Sequence, residues 1–136
     1  MLMSVVSQQD LRALVKKLLG EHRSFSSQVR GLGENADARE LSKVREAFVP
    51  IEEALMEHML VEESEIFPEI SRMGLFDESI SEIMQQHIEI TSSLDKMKYA
   101  IRGKDVEQVR SAFRELVRIM EIHFPAEEQQ VFSLIT

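Results

Sequence analysis

Residues 106–128 read VEQVRSAFRELVRIMEIHFPAEE, and their apolar positions recur every three or four residues: Val106, Val109, Phe113, Leu116 and Met120. That period predicts one buried face of an α-helix. Where the seam should carry two more apolar residues it carries His123 and Glu127. Working outward, the same spacing appears three more times. A first seam runs Leu11, Val15 (or Leu14), Leu18, His22, Phe25, Val29, Leu32. The second runs Leu41, Val44, Phe48, Ile51, Leu55, His58, Glu62, and a third Ile80, Ile83, His87, Ile90, Leu94, Met97, Ile101. No segment alternates with the period of two that marks a half-buried strand. The expected fold is all-α, an antiparallel up-down four-helix bundle built as one domain over residues 1–136.

Boundary signals complete the outline. Ser7 with Asp10 forms an N-terminal cap for the first helix, Gly31 and Gly33 loosen its end, and Asp37 with Glu40 is spaced as a capping box for the second. Asp77 or Ser79 opens the third helix and Asp105, just after Gly103, the fourth. Pro50 and Pro125 fall inside helices, where each kinks the helix or frees one backbone carbonyl. Pro68 marks a bend, with Glu69 to Gly74 as a short link.

Displaced by 65 residues, the chain resembles itself. His22 falls on His87, His58 on His123, Glu62 on Glu127, and Glu63 on Glu128. Val44, Arg45, Ala47 and Phe48 fall on Val109, Arg110, Ala112 and Phe113. All four histidines are consumed by this match, which predicts a duplicated helical hairpin with internal two-fold pseudo-symmetry.

Composition narrows the chemistry. The 136 residues carry 24 Asp+Glu against 16 Lys+Arg, a net charge of -8. Such a surface repels phosphate backbones and anionic lipid, so neither nucleic acid nor membrane is an expected partner. The opening residues carry no export signal, and the predicted location is cytoplasmic. The chain has no cysteine, which excludes disulfides, thiolate metal sites and thiol redox chemistry. Histidine and carboxylate remain as metal ligands.

An i, i+4 pair shares a helical face, so His58 and Glu62 point the same way, as do His123 and Glu127. With His22 and His87 they should project into the bundle interior at one height. Residue 105, midway between His87 and His123, lies on the expected turn. Residue 40, midway between His22 and His58, lies beyond the expected loop, so either the first helix runs past Gly33 or the loop climbs in extended form. No Lys or Arg stands on a seam to neutralise Glu62 and Glu127, and two unpaired buried carboxylates would each cost several kcal/mol. Two metal ions ligated by two histidines each and bridged by both glutamates would offset that cost. The donor set suits iron, manganese or zinc, with iron favoured. Ordinary structural roles are expected for Met56, Met59, Met84, Met97 and Met120 as core packing, and for Glu52, Glu53, Glu57, Glu63 and Glu65 as a solvated acidic face.

The order His22, His58-Met-Leu-Val-Glu62-Glu63, His87, His123-Phe-Pro-Ala-Glu127-Glu128 resembles the hemerythrin-like (HHE cation-binding) family across essentially the whole chain. The resemblance implies a non-haem di-iron centre with an oxo or hydroxo bridge. His22, His58, His87 and His123 would be terminal ligands, and Glu62 and Glu127 would bridge. Oxygen-carrying members resemble this chain but place a further histidine where Thr91 stands here, with Ser26 as its repeat mate; Pro125 within the last HxxxE is a second departure. Two histidines per iron leave open positions, which suits a stand-alone protein that binds or senses O2, NO or iron itself. Two alternatives are a di-iron oxidoreductase (a peroxidase, or nitric-oxide-handling or iron–sulfur-repair activity) and a metal-free helical interaction module. For the enzyme, Tyr99, Thr91 and Ser26 are the candidate proton donors. A ferritin-like site, which needs Glu three residues before His, is excluded by Leu19, Leu55, Met84 and Met120.

Overall fold

A computed structural model describes residues 7–74 and 77–135. The elements are α1 (Gln8–Asp37), α2 (Leu41–Val61), a π-helical turn (Glu62–Ile66), the short α3 (Phe67–Arg72), α4 (Asp77–Gly103), α5 (Val106–Gln130) and a 3-10 turn (Phe132–Leu134). Among the described residues there is no strand, and no helix is long and apolar enough to cross a membrane. The four long helices form a bundle in which α1 packs on α2 and α5, and α4 packs on α5 and α2.

Ser7 caps α1, its hydroxyl accepting from Asp10 N at 3.0 Å. The helix does not loosen at Gly31 and Gly33 but runs on to Asp37. Tertiary packing overrides the propensity cost of glycine here: Leu32 and Ala36 are buried, and a Cβ on Gly33 would lie 2.4 Å from Phe113 Cζ. The extension moves the turn to residues 38–40, where Arg39 adopts a positive φ of 61°. That is the level at which His22 and His58 can face each other. The anticipated capping box does not form. Asp37 closes α1 and pairs with Arg110, while Glu40 stands at the N-cap of α2 without a side-chain cap bond. Asp105 does cap α5, accepting from the amides of Glu107 and Gln108 at 3.1 and 3.2 Å. Helix α4 begins at Asp77, so Ser79 lies within its first turn; the side chain of Asp77 is outside the described residues.

Pro50 and Pro125 lie inside α2 and α5. Both face solvent, as do Glu46 and Glu121, whose carbonyls lose their usual partner, so water can take up the free groups. At Pro68 the outcome differs from a link at 69–74. The chain widens into the π-helical turn, with Phe67 N donating to Glu62 O, and continues as α3 to Arg72. Pro68 has no N–H to return to Ser64, and its ring crowds that carbonyl; the wider turn relieves both. It also lets the adjacent Ile66 and Phe67 both be buried.

Two apolar clusters fill the bundle. One, including Phe25, Val44, Phe48, Leu55, Ile90, Leu94, Val109 and Leu116, lies toward the 38–40 and 103–105 turns. The other, including Leu11, Val15, Leu18, Ile66, Phe67, Ile83, Val131 and Phe132, fills the opposite end. Val15 is the seam residue and Leu14 is only half-buried. Met59, Met97 and Met120 pack in the core as expected, whereas Met56 and Met84 are exposed. Between the clusters lies one polar layer, made by the six interrupting residues of the seams.

Candidate metal centre

His22 (α1), His58 (α2), His87 (α4), His123 (α5), Glu62 (the π-helical turn) and Glu127 (α5) are each at most 3% exposed. They meet in two groups, His22 with His58, and His87 with His123, and each group includes both Glu62 and Glu127. Within a group one ligand atom from each residue lies within 4.8 Å of the others. Such groups can hold a metal ion. Every residue singled out from the seams as a ligand reaches this layer.

The histidines are aimed by their outer nitrogens. His58 Nδ1 donates to Glu21 Oε1 at 2.7 Å, His22 Nδ1 to Glu128 Oε2 at 2.8 Å, and His87 Nδ1 to Glu63 Oε2 at 2.7 Å. His123 Nδ1 donates to Gln86 Oε1 at 2.7 Å. Carboxylate and carbonyl oxygens only accept, so Nδ1 carries the hydrogen in all four rings and Nε2 faces inward. Stacking holds the planes: His22 lies 4.2 Å from Phe124 and His87 lies 5.7 Å from Phe67, centroid to centroid. Ser26 and Thr91 donate their hydroxyls to the carbonyls of His22 and His87, and Tyr99 is 77% exposed. None of these three stands as a proton donor at the centre.

The inward atoms are poorly satisfied by one another. His22 Nε2 and His58 Nε2 lie 3.1 Å apart; with Nδ1 protonated in both, two lone pairs face each other unless a proton or cation lies between them. Seven buried side-chain polar atoms among the described residues have no hydrogen-bond partner, and five belong here: both Glu62 oxygens, Glu127 Oε2, His87 Nε2 and His123 Nε2. Buried polar atoms are rarely orphaned, and four lone-pair nitrogens converging on two carboxylates are a fitting donor set for a divalent cation of borderline softness.

Without metal, protons must hold the layer together. Burial raises the Glu62 carboxyl to about 7, reinforced by Glu127 beside it. Burial alone would lower His58 and His87, but Glu127, Glu62 and the outer carboxylates outweigh it and raise both to about 10. His123 is lowered to about 4, first by burial, with Glu127 opposing and the other three histidines reinforcing. Burial would raise Glu127, yet the neighbouring Glu62 carboxyl and the His22, His58 and His87 imidazoles gathered around it hold it well below the usual carboxylate range. The layer is cation-seeking, centred on Glu127.

No protein-family profile, curated protein or solved structure matches the chain.

The four outer partners are what the seam reading missed. Glu63 is exposed, as expected of the acidic face, yet it also accepts from His87 across the bundle. Glu21 and Gln86 each immediately precede a seam histidine, and Glu63 and Glu128 each follow a seam glutamate. Their positions relative to the ligands, together with the displacement of 65 residues, are the signal that could have found them. A groove of about 640 Å³ between α1 and α5 reaches His22 and Glu128, over an apolar floor of Val29, Phe113, Met120 and Phe124.

Proposed function

We propose that this chain is a hemerythrin-like protein that holds two irons and binds or senses O2, NO or iron itself. One observation carries the reading: Glu62 and Glu127, fully buried and with three of their four oxygens lacking a hydrogen-bond partner, belong to both four-residue groups. Two carboxylates shared between two histidine pairs suit two cations at bridging distance better than one. An up-and-down order and a duplicated hairpin belong to the same reading. They are supported by equivalences at the 65-residue displacement: Arg39 and Lys104 both take positive φ in the turns, and Ser26 and Thr91 both bond the carbonyl of a seam histidine.

When bound, the iron pair would supply the redox-active centre at which a diatomic ligand is recognised. The protein's own residues do the rest. Glu62 and Glu127, which belong to both groups, would hold both ions and offset their charge. The Nδ1 hydrogen bonds fix each imidazole so that Nε2 points inward, and Phe124, Phe132 and Phe67 against His22 and His87 keep the layer dry. The α1–α5 groove gives a small ligand an approach to the His22 side.

Elemental analysis of protein reconstituted anaerobically with ferrous iron, followed by absorption spectra before and after air or NO, tests the proposal. Two irons per chain and a ligand-dependent charge-transfer spectrum are expected. Absence of stoichiometric metal overturns it.

A further inference from the structure

The two candidate metal positions have the same inner donors by type, two histidine Nε2 atoms plus the shared Glu62 and Glu127. They differ one bond further out. Behind His22 and His58 stand two carboxylates, Glu128 and Glu21. Behind His87 and His123 stand one carboxylate, Glu63, and one amide, Gln86. At the 65-residue displacement Glu63 corresponds to Glu128, so the asymmetry reduces to Glu21 against Gln86. The two hydrogen bonds have the same length, 2.7 Å, and both side chains are half-buried at the bundle edge. Geometry is therefore matched and charge is not. A carboxylate behind an imidazole makes its inner nitrogen more basic and adds a negative charge near the cation, whereas an amide oxygen orients the ring without adding charge.

We propose that Glu21 and Gln86 make the two positions inequivalent, so that the His22/His58 position takes the first divalent cation and the His87/His123 position the second. The inference rests on the metal reading above and specifies how that site fills. Mutual repulsion of two cations would separate the binding steps even in a symmetric site, but it would not choose which position fills first; the outer partners do.

The test is a Zn2+ titration of the metal-stripped 136-residue chain with its imidazole nitrogens observed by 15N NMR. All four histidines of the sequence lie in the centre, so every imidazole signal reports on it. In the native chain the first equivalent should move the His22 and His58 signals and the second those of His87 and His123. The exchanged variant Glu21→Gln/Gln86→Glu keeps the net charge and both side-chain shapes, and should reverse the order. Singly, Glu21→Gln should weaken the first step roughly 10–100-fold and Gln86→Glu should tighten the second by a similar factor. A first equivalent spread over all four histidines, or an order unchanged in the exchanged variant, overturns this inference while two bound ions leave the metal reading standing. Failure to bind Zn2+ at all overturns both.

Discussion

Replacing Glu62 by Gln should act in opposite directions on the metal-free and metal-loaded protein. In the metal-free chain the Glu62 carboxyl is raised from 4.5 to about 7. A raised carboxyl contributes stability that is complete below the unfolded value and is lost as pH rises through the folded one. At pH 8 the ionised group therefore destabilises the fold by roughly 3 kcal/mol, at about 1.4 kcal/mol per factor of ten in proton affinity. Gln removes the charge and keeps the shape. The approaches to His58 and His87 at 3.1 and 3.0 Å are already contained in that raised value, but an amide fits against the two imidazoles less well than a protonated carboxyl does, which costs about 1 kcal/mol or somewhat more. The metal-free variant should be more stable by about 1–2 kcal/mol, a rise in Tm of roughly 4–8 °C for a chain of this size. Loaded wild-type protein gains about 4 kcal/mol at a thousandfold excess of metal over Kd. Loss of a shared ligand removes most of that gain, so the loaded variant should melt several degrees below loaded wild type. Paired thermal scans at pH 8, in chelator and in excess Zn2+ or anaerobic ferrous iron, measure both signs. A shift of the same sign in both conditions would refute the reasoning. Two decreases would make Glu62 a structural hydrogen-bonding residue, and two equal increases would mean that no metal uses it.

Four further outcomes are expected. His58 and His87 are raised from 6.5 to about 10, so their stabilisation is complete below pH 6.5 and lost as pH rises through 10; denaturant midpoints of the metal-free protein should fall over that range, and a rising midpoint would contradict the assignment. Metal loading at pH 8 must displace those same two protons, so calorimetry in buffers of different ionisation enthalpy should report release of about two protons per chain, and a value near zero would count against histidine ligation. Gly20→Ala, with nothing within 4 Å of the added Cβ, should stabilise α1 by about 0.5–1 kcal/mol. Gly33→Ala, whose Cβ would meet the Phe113 ring at 2.4 Å, should instead fall below wild type by roughly 1–2 kcal/mol in chemical denaturation.

Local rules failed where long-range packing decided the outcome. Gly31 and Gly33 suggest the end of a helix, yet Phe113, eighty residues from Gly33, occupies the space beside it and α1 continues to Asp37. Asp37 and Glu40 have the spacing of a capping box, but the extension of α1 places Asp37 inside the preceding helix. Pro68 was legible as a disturbance. Its resolution as a π-helical turn was not, because that depends on Ile66 and Phe67 both finding apolar cover in the cluster with Leu11, Val15 and Phe132. Glu63 reads as one of a run of solvated acids, and only the neighbouring α4 supplies the His87 Nδ1 that gives it a role.

What the sequence by itself determined is the helical period, the four seams and the six residues that interrupt them. Those follow from spacing along one chain, because residues three and four apart must share a helical face whatever packs against it. Tertiary structure alone decided how the six converge. It set the turn at 38–40, brought Glu62 and Glu127 into both histidine pairs, and placed Glu21, Glu63, Gln86 and Glu128 behind the imidazoles. Each of those is a contact between different helices, whose distance and direction depend on packing that no local spacing encodes.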